Sequence, residues 1–80
     1  MNEEKILQLF GEHVKKLRLQ KKLSQEQLAL LAELDRTYIS GIERGKRNVS
    51  LINLIKLASS LDIPTHEIIS FKLSNQNNGK

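Results

Sequence analysis

Helix-spaced apolar residues run through this sequence only in short lengths, each closed by a break and reopened by a capping residue. Ile6, Phe10, Val14 and Leu17 step by four, four and three, which predicts one face of a helix over 2–20. Gly11 sits inside it, at a cost of roughly 1 kcal/mol against alanine. Lys21-Lys22 interrupt the pattern. Ser24 with Gln27 three positions on makes a capping box, opening a second helix over 25–32 with Leu28, Leu31 and Ala32 inward. Glu33-Leu34 form a short turn, Asp35 caps a third helix reaching Arg44, and Gly45 ends it. Ser50 caps a fourth helix whose apolar set is Leu51, Leu54, Ile55, Ala58 and Leu61. Asp62-Ile63-Pro64 break the chain again, and Pro64 suits the first turn of a fifth helix over 64–71. No strand-like alternation appears. The expectation is a compact all-α domain of five helices over 1–73, followed by a flexible polar tail at 74–80.

A domain of this size buries only roughly 60–65% of its unfolded surface, so dimerisation is a natural supplement. The chain has no cysteine, which removes disulfides, thiolate catalysis and cysteine-based zinc sites. No apolar run approaches the length of a membrane span, and the acidic Glu3-Glu4 start does not resemble a signal peptide. A cytoplasmic protein is expected. Thirteen Lys and Arg stand against nine Asp and Glu, for a net charge of +4. The basic residues gather in two places: Lys15, Lys16, Arg18, Lys21 and Lys22, then Arg36, Arg44, Lys46 and Arg47. Such concentrations suit a polyanion partner, although a solvated basic face would carry the same charge.

The stretch LDRTYISGIERGKRN, residues 34–48, discriminates between these readings. On a helical wheel Tyr38, Ile39 and Ile42 point inward, and Arg36, Thr37, Ser40, Gly41 and Arg44 lie on the opposite side. Small side chains let a helix approach a surface closely. A guanidinium pairs bidentately with a guanine edge or grips phosphate, and the threonine methyl suits the methyl of thymine. These are the requirements of a helix in a DNA major groove. Two short helices joined by a tight turn, from Gln25 to Arg44, make a helix-turn-helix unit. Ala29 is small where the two helices cross, and the side chain and free backbone N–H groups at Gln25 can hold a phosphate.

Over these residues, LSQEQLALLAELDRTYISGIERGKRNVSLINLIKLASSLDIP resembles the Cro/phage-repressor class of helix-turn-helix domains, across roughly residues 10–70. LDRTYISGIERGKRN followed by LINLIKLASSLDI looks more narrowly like the controller proteins of restriction–modification systems. The resemblance implies a five-helix Cro/lambda-repressor-like fold with 25–32 and 36–44 as helices two and three. It implies base reading by Arg36, Thr37, Ser40 and Arg44. Phosphates are then held by Gln25, Lys46, Arg47 and Asn48, with Tyr38 at the rim touching backbone as well as core. It further implies an Arg18–Glu43 ion pair fixing helix one to the reading helix, in preference to a DNA contact by Arg18. Glu33 departs from the family pattern, which most often has glycine in the turn; a non-glycine residue at positive φ costs on the order of 1 kcal/mol.

Ile68, Ile69 and Phe71, with Leu73, come after the core is nearly complete. Their surplus predicts a self-complementary apolar patch and a two-fold dimer through helix five and the end of helix four. His13 and His66 lack ligand spacing, so no metal or other cofactor is expected. Tyr38 falls on the inward arc, Ser24, Ser40 and Ser50 have no nearby base, and Glu26, Glu33 and Asp35 read as helix-end charges. The expected protein is therefore a dimeric, sequence-specific transcription regulator of restriction–modification genes, its own included, and not an enzyme. Its partners are an operator duplex and a second copy, with no membrane and no small-molecule ligand. The alternatives are a phage-type repressor, an antitoxin-like regulator, or a protein-interaction module on the same fold. An interaction-only module need not keep Arg36, Thr37, Ser40 and Arg44 outward together with a basic loop.

Overall fold

Each of the four α-helices opens on a short oxygen-bearing side chain that folds back onto its own first turn. A computed structural model describes residues 2–73, so the tail predicted at 74–80 lies outside the described residues. Helix α1 (Glu3–Gln20) is capped by Asn2, whose Oδ1 accepts the Lys5 N–H at 3.1 Å. Helix α2 (Gln25–Ala32) carries the full capping box: Ser24 Oγ accepts from Gln27 N–H at 3.0 Å, and Gln27 Oε1 accepts from Ser24 N–H at 2.8 Å. Asp35 caps α3 (Arg36–Glu43) and Ser50 caps α4 (Leu51–Ser60). Among the described residues there is no strand.

The helices also stop by one shared device. Lys22, Glu33, Gly45 and Asp62 each take a left-handed backbone, with φ of 60°, 58°, 75° and 57°. In each case the next residue donates its N–H back five positions: Leu23 to Arg18, Leu34 to Ala29, Lys46 to Gly41 and Ile63 to Ala58, at 2.9–3.1 Å. This is the Schellman closure, which satisfies carbonyls the helix end leaves free. Leu23, Leu34 and Ile63 then pack against the core, turning each stop into an anchor. Only Gly45 is a glycine, and there a Cβ would also stand 3.0 Å from Gln8 Cα on α1.

The core is one cluster, with Val14, Leu28, Ile39, Ile42, Leu57, Leu61 and Ile68 fully buried. Gly11 belongs to its closest joint. A Cβ at that position would run into the Ile42 carbonyl oxygen and stand 2.8 Å from that of Glu43. The missing side chain therefore lets the end of α3 lie directly on α1.

Three expectations are corrected. The predicted fifth α-helix over 64–71 is a 3-10 helix, Thr65–Ile69, so the α-helices among the described residues number four. Pro64 is extended (φ −61°, ψ 146°) and precedes the helix. Five residues are too few to recover the nucleation cost of an α-helix, and the tighter i→i+3 bonds serve instead, Glu67 N–H to Pro64 O at 2.9 Å and Ser70 N–H to Glu67 O at 3.2 Å. Leu31, Leu51 and Ile55, expected inward, are 57%, 68% and 44% exposed. Leu28, Ala29 and Ala32 already fill the inner side of α2, and Leu57, Ala58 and Leu61 that of the α4 segment. Ile68, expected at a dimer face, is core. His13 ties the 3-10 helix to α1: its Nε2 donates to the Glu67 carbonyl at 2.7 Å, and its ring lies 5.6 Å from that of Phe71.

Candidate nucleic-acid interface

α2, the Glu33 turn and α3 form the helix-turn-helix unit, and two buried charged side chains with a half-buried glutamine fix its angle to α1. Arg18 Nε donates to Glu43 Oε2 at 2.7 Å and Arg18 Nη2 to Glu43 Oε1 at 3.0 Å, a two-pronged pair. Arg18 Nη1 donates to the Leu23 carbonyl at 2.8 Å. Their side chains are 8% and 3% exposed. The hydrogen bond to Glu43 raises the Arg18 pKa, against an opposing effect of burial. Gln25 completes the group, donating from Nε2 to Glu43 Oε1 at 3.0 Å. One of the two Gln25 amide protons is thereby engaged with Glu43, and the half-buried side chain keeps its second N–H. The backbone N–H groups of the first α2 turn still have no helical carbonyl before them.

The opposite side of α3 faces outward. Arg36, Thr37 and Arg44 are exposed and Ser40 is half-buried. Thr37 serves the helix start as well: its N–H and its Oγ1 both donate to Asp35 Oδ1, at 2.9 and 2.7 Å. Those two bonds hold the Asp35 carboxyl below its ordinary value. The Thr37 hydroxyl proton is thus engaged, which leaves its methyl and its oxygen lone pairs to face a partner. Arg44 makes one long contact, Nε to the Ser40 carbonyl at 3.4 Å. Gly41, which the wheel places on the outward side, is buried. Arg47 covers it.

Lys46, Arg47 and Asn48 follow in an exposed loop. The Arg47 guanidinium carbon lies 5.5 Å from the centre of the Tyr38 ring. Tyr38 is half-buried, and its hydroxyl accepts a 3.2 Å hydrogen bond from Asn53 Nδ2 on α4. Asn53 carries no signal in the sequence, because the contact spans fifteen residues and depends on how α4 docks. Among the described residues, no carboxylate stands within ion-pair distance of Arg36, Arg44, Lys46 or Arg47. The same side of the molecule thus holds short side chains and four cations, none of them ion-paired among the described residues.

The predicted dimer residues separate. Ile68 is buried in the chain's own core, Phe71 is half-buried with its ring 6.1 Å from that of Phe10, and Ile69 is 56% exposed. Ile69 and Phe71 line an open apolar groove of about 280 Å³ with Ile6, Phe10 and Leu54. Beyond it, Leu51, Ile52 and Ile55 are 68%, 62% and 44% exposed. The unpartnered apolar surface therefore begins at the start of α4, not at its end.

A family model for helix-turn-helix proteins matches residues 14–68. The control protein C.MunI from a Mycoplasma species is 54% identical over 71 residues, which cover 88% of this chain and 93% of that protein. Among solved structures, the restriction–modification controller protein C.AhdI from Aeromonas hydrophila matches with a TM-score of 0.76 at 55% identity, over 78% of this chain and 94% of that one. The controller protein C.Esp1396I, a tetramer in complex with its natural 35 base-pair operator, matches with a TM-score of 0.72 at 39% identity, over 80% and 88%.

Proposed function

This chain belongs to the helix-turn-helix family of the restriction–modification controller proteins, and from that membership we propose that it is a sequence-specific DNA-binding regulator of transcription. It binds a palindromic operator as a homodimer and controls restriction–modification genes, its own among them. It works in the cytoplasm, catalyses no reaction, and takes no cofactor or small-molecule ligand. The observation that carries this reading is the outward side of α3, where exposed arginines flank short side chains and have no ion-pair partner among the described residues.

α3 enters the major groove. Arg36, Thr37, Ser40 and Arg44 meet base edges there, Thr37 through its methyl group and oxygen because its proton is held by Asp35. Lys46, Arg47, Asn48 and Tyr38 meet phosphates on one flank, and the first backbone N–H groups of α2, beginning at Gln25, meet them on the other. The Arg18–Glu43–Gln25 group sets the angle between α1 and the reading helix. A second copy joins through Leu51, Ile52 and Ile55 on α4, with Ile69 and Phe71 at the edge of the groove. Two-fold symmetry then sets two reading helices about 34 Å apart, one turn of duplex.

The test is a footprint and titration on the duplex upstream of the chain's own gene. Two protected half-sites about one helical turn apart are expected, with an affinity that falls steeply with salt, by a slope near −0.9 for each neutralised phosphate. Binding no tighter to that duplex than to random sequence would sink the regulator reading.

A further inference from the structure

Gly41 sits in the body of α3, where glycine is a poorer helix former than alanine, and yet it is buried. What buries it comes from the following loop. A Cβ on Gly41 would stand 3.0 Å from Arg47 Cγ, 3.3 Å from Arg47 Nε and 3.7 Å from Arg47 Cδ. The Arg47 stem therefore lies across the helix in a space that the missing side chain leaves open. Its guanidinium ends beside the Tyr38 ring, 5.5 Å from the centre, and the Tyr38 hydroxyl is tied to Asn53. Around the α3 axis, Gly41 falls between the Thr37–Arg44 edge and Tyr38. The Arg47 backbone belongs to the loop, but its charge is carried on the surface of the helix.

We propose that Gly41 is a positioning residue for DNA binding: a notch that seats Arg47 across α3 and holds its guanidinium at the phosphate-facing rim before DNA arrives. The proposal rests on the reading of this chain as a DNA-binding regulator. A free arginine loses several rotatable bonds' worth of freedom when it is immobilised on a phosphate. An arginine already seated loses less, and the saving appears as affinity. Because phosphates carry no sequence information, the gain is shared by every duplex.

The test uses the whole chain and two duplexes: one that the wild-type protein selects from a random-sequence pool, and an unselected duplex of equal length. Wild type, Gly41→Ala, Arg47→Ala and the double variant are compared. Gly41→Ala is expected to bind both duplexes roughly three- to tenfold more weakly, with its thermal midpoint unchanged or raised, since alanine favours the helix. In the Arg47→Ala background, adding Gly41→Ala is expected to change nothing further. Without DNA, the ring current of Tyr38, the single tyrosine of the chain, shifts the Arg47 side-chain protons, and that shift is expected to vanish in Gly41→Ala. Unchanged affinity in Gly41→Ala, equal losses in both backgrounds, or a persisting ring-current shift overturns the notch and leaves the regulator reading standing. So does an unfolded Gly41→Ala chain, because the flexible Arg47 stem can swing aside and only a packing role would unfold it. A wild-type protein that selects no duplex overturns both.

Discussion

The two sides of α3 treat charge in opposite ways. On the inner side, the Glu43 carboxylate is 3% exposed and accepts three hydrogen bonds from Arg18 and Gln25. On the outer side, Arg36 and Arg44 stand in solvent, and Lys46 and Arg47 follow, with no carboxylate at ion-pair distance among the described residues. Desolvating a charge is tolerable only where it is paired and fully hydrogen-bonded. The inner charges therefore hold the fold and are neutral as a group. The outer ones have no carboxylate partner among the described residues and remain available to a polyanion. One eight-residue helix thus separates structure from recognition by direction alone.

The largest effect lies on the inner side. Glu43→Ala leaves Arg18 buried beside Gln25 without its carboxylate, and a loss of about 3–5 kcal/mol is expected in denaturant unfolding. Removing both Arg18 and Glu43 should cost less than the sum of the single changes, because the second removes the orphaned charge. A loss below about 1 kcal/mol for Glu43→Ala would erase the contrast, making the pair as weak as a surface one.

Arg36→Ala probes the outer side. Unfolding should move by less than about 0.5 kcal/mol. Discrimination between the selected duplex and a random one should fall by about 1–3 kcal/mol. Equal losses on both duplexes would remove Arg36 from base reading and class it with the phosphate contacts.

The turn joining the two helices gives a smaller effect with the opposite sign. Glu33 holds a left-handed backbone at φ 58° without being glycine. Glu33→Gly should raise stability by about 0.5–1 kcal/mol and leave DNA affinity as it was. Decreased stability would mean that the Glu33 side chain stabilises the fold by more than its backbone strain costs.

Asp35 marks the boundary between the sides and gives the smallest effect. The Thr37 hydroxyl and N–H lower its pKa from an ordinary 3.8. A carboxyl lowered on folding contributes stability that is present above its ordinary value and disappears as pH falls through the lower, folded one. Unfolding measured from neutral pH down to strong acid should lose this contribution below about pH 4. Asp35→Asn keeps an N-cap oxygen and should flatten that part of the profile; an unchanged profile would place the acid sensitivity elsewhere.

What could be read in advance follows the range of the interaction. Ser24 with Gln27, Asp35 with the start of α3, and Gly45 at its end were legible because partners within a few residues decide them. Apolar spacing was legible as helix but not as direction. Leu51 and Ile55 share the period of Leu54 and Ala58 and yet face out, while Ile68 is core and its neighbour Ile69 is exposed. Tyr38 was placed on the inward arc, but nothing local told of its tie to Asn53 or of Arg47 beside its ring. Gly11 reads as a helix defect, and Gly41 as one of the small residues on the outward side. Their purpose is the chain that passes over them, the end of α3 in one case and Arg47 in the other.

The order of residues alone determined where this chain turns helical, where each of the four α-helices starts and stops, and which short, arginine-flanked stretch could meet a duplex. Caps, left-handed stops and periodicity act within two turns, so they survive without knowledge of the rest of the molecule. Only the packed structure decided that Gln25 serves Glu43, that Arg47 rides on Gly41, that the last helix is 3-10, and which apolar residues remain uncovered. Those outcomes depend on groups brought together from distant parts of the chain, where close packing, not local preference, chooses between surfaces that look alike in one dimension.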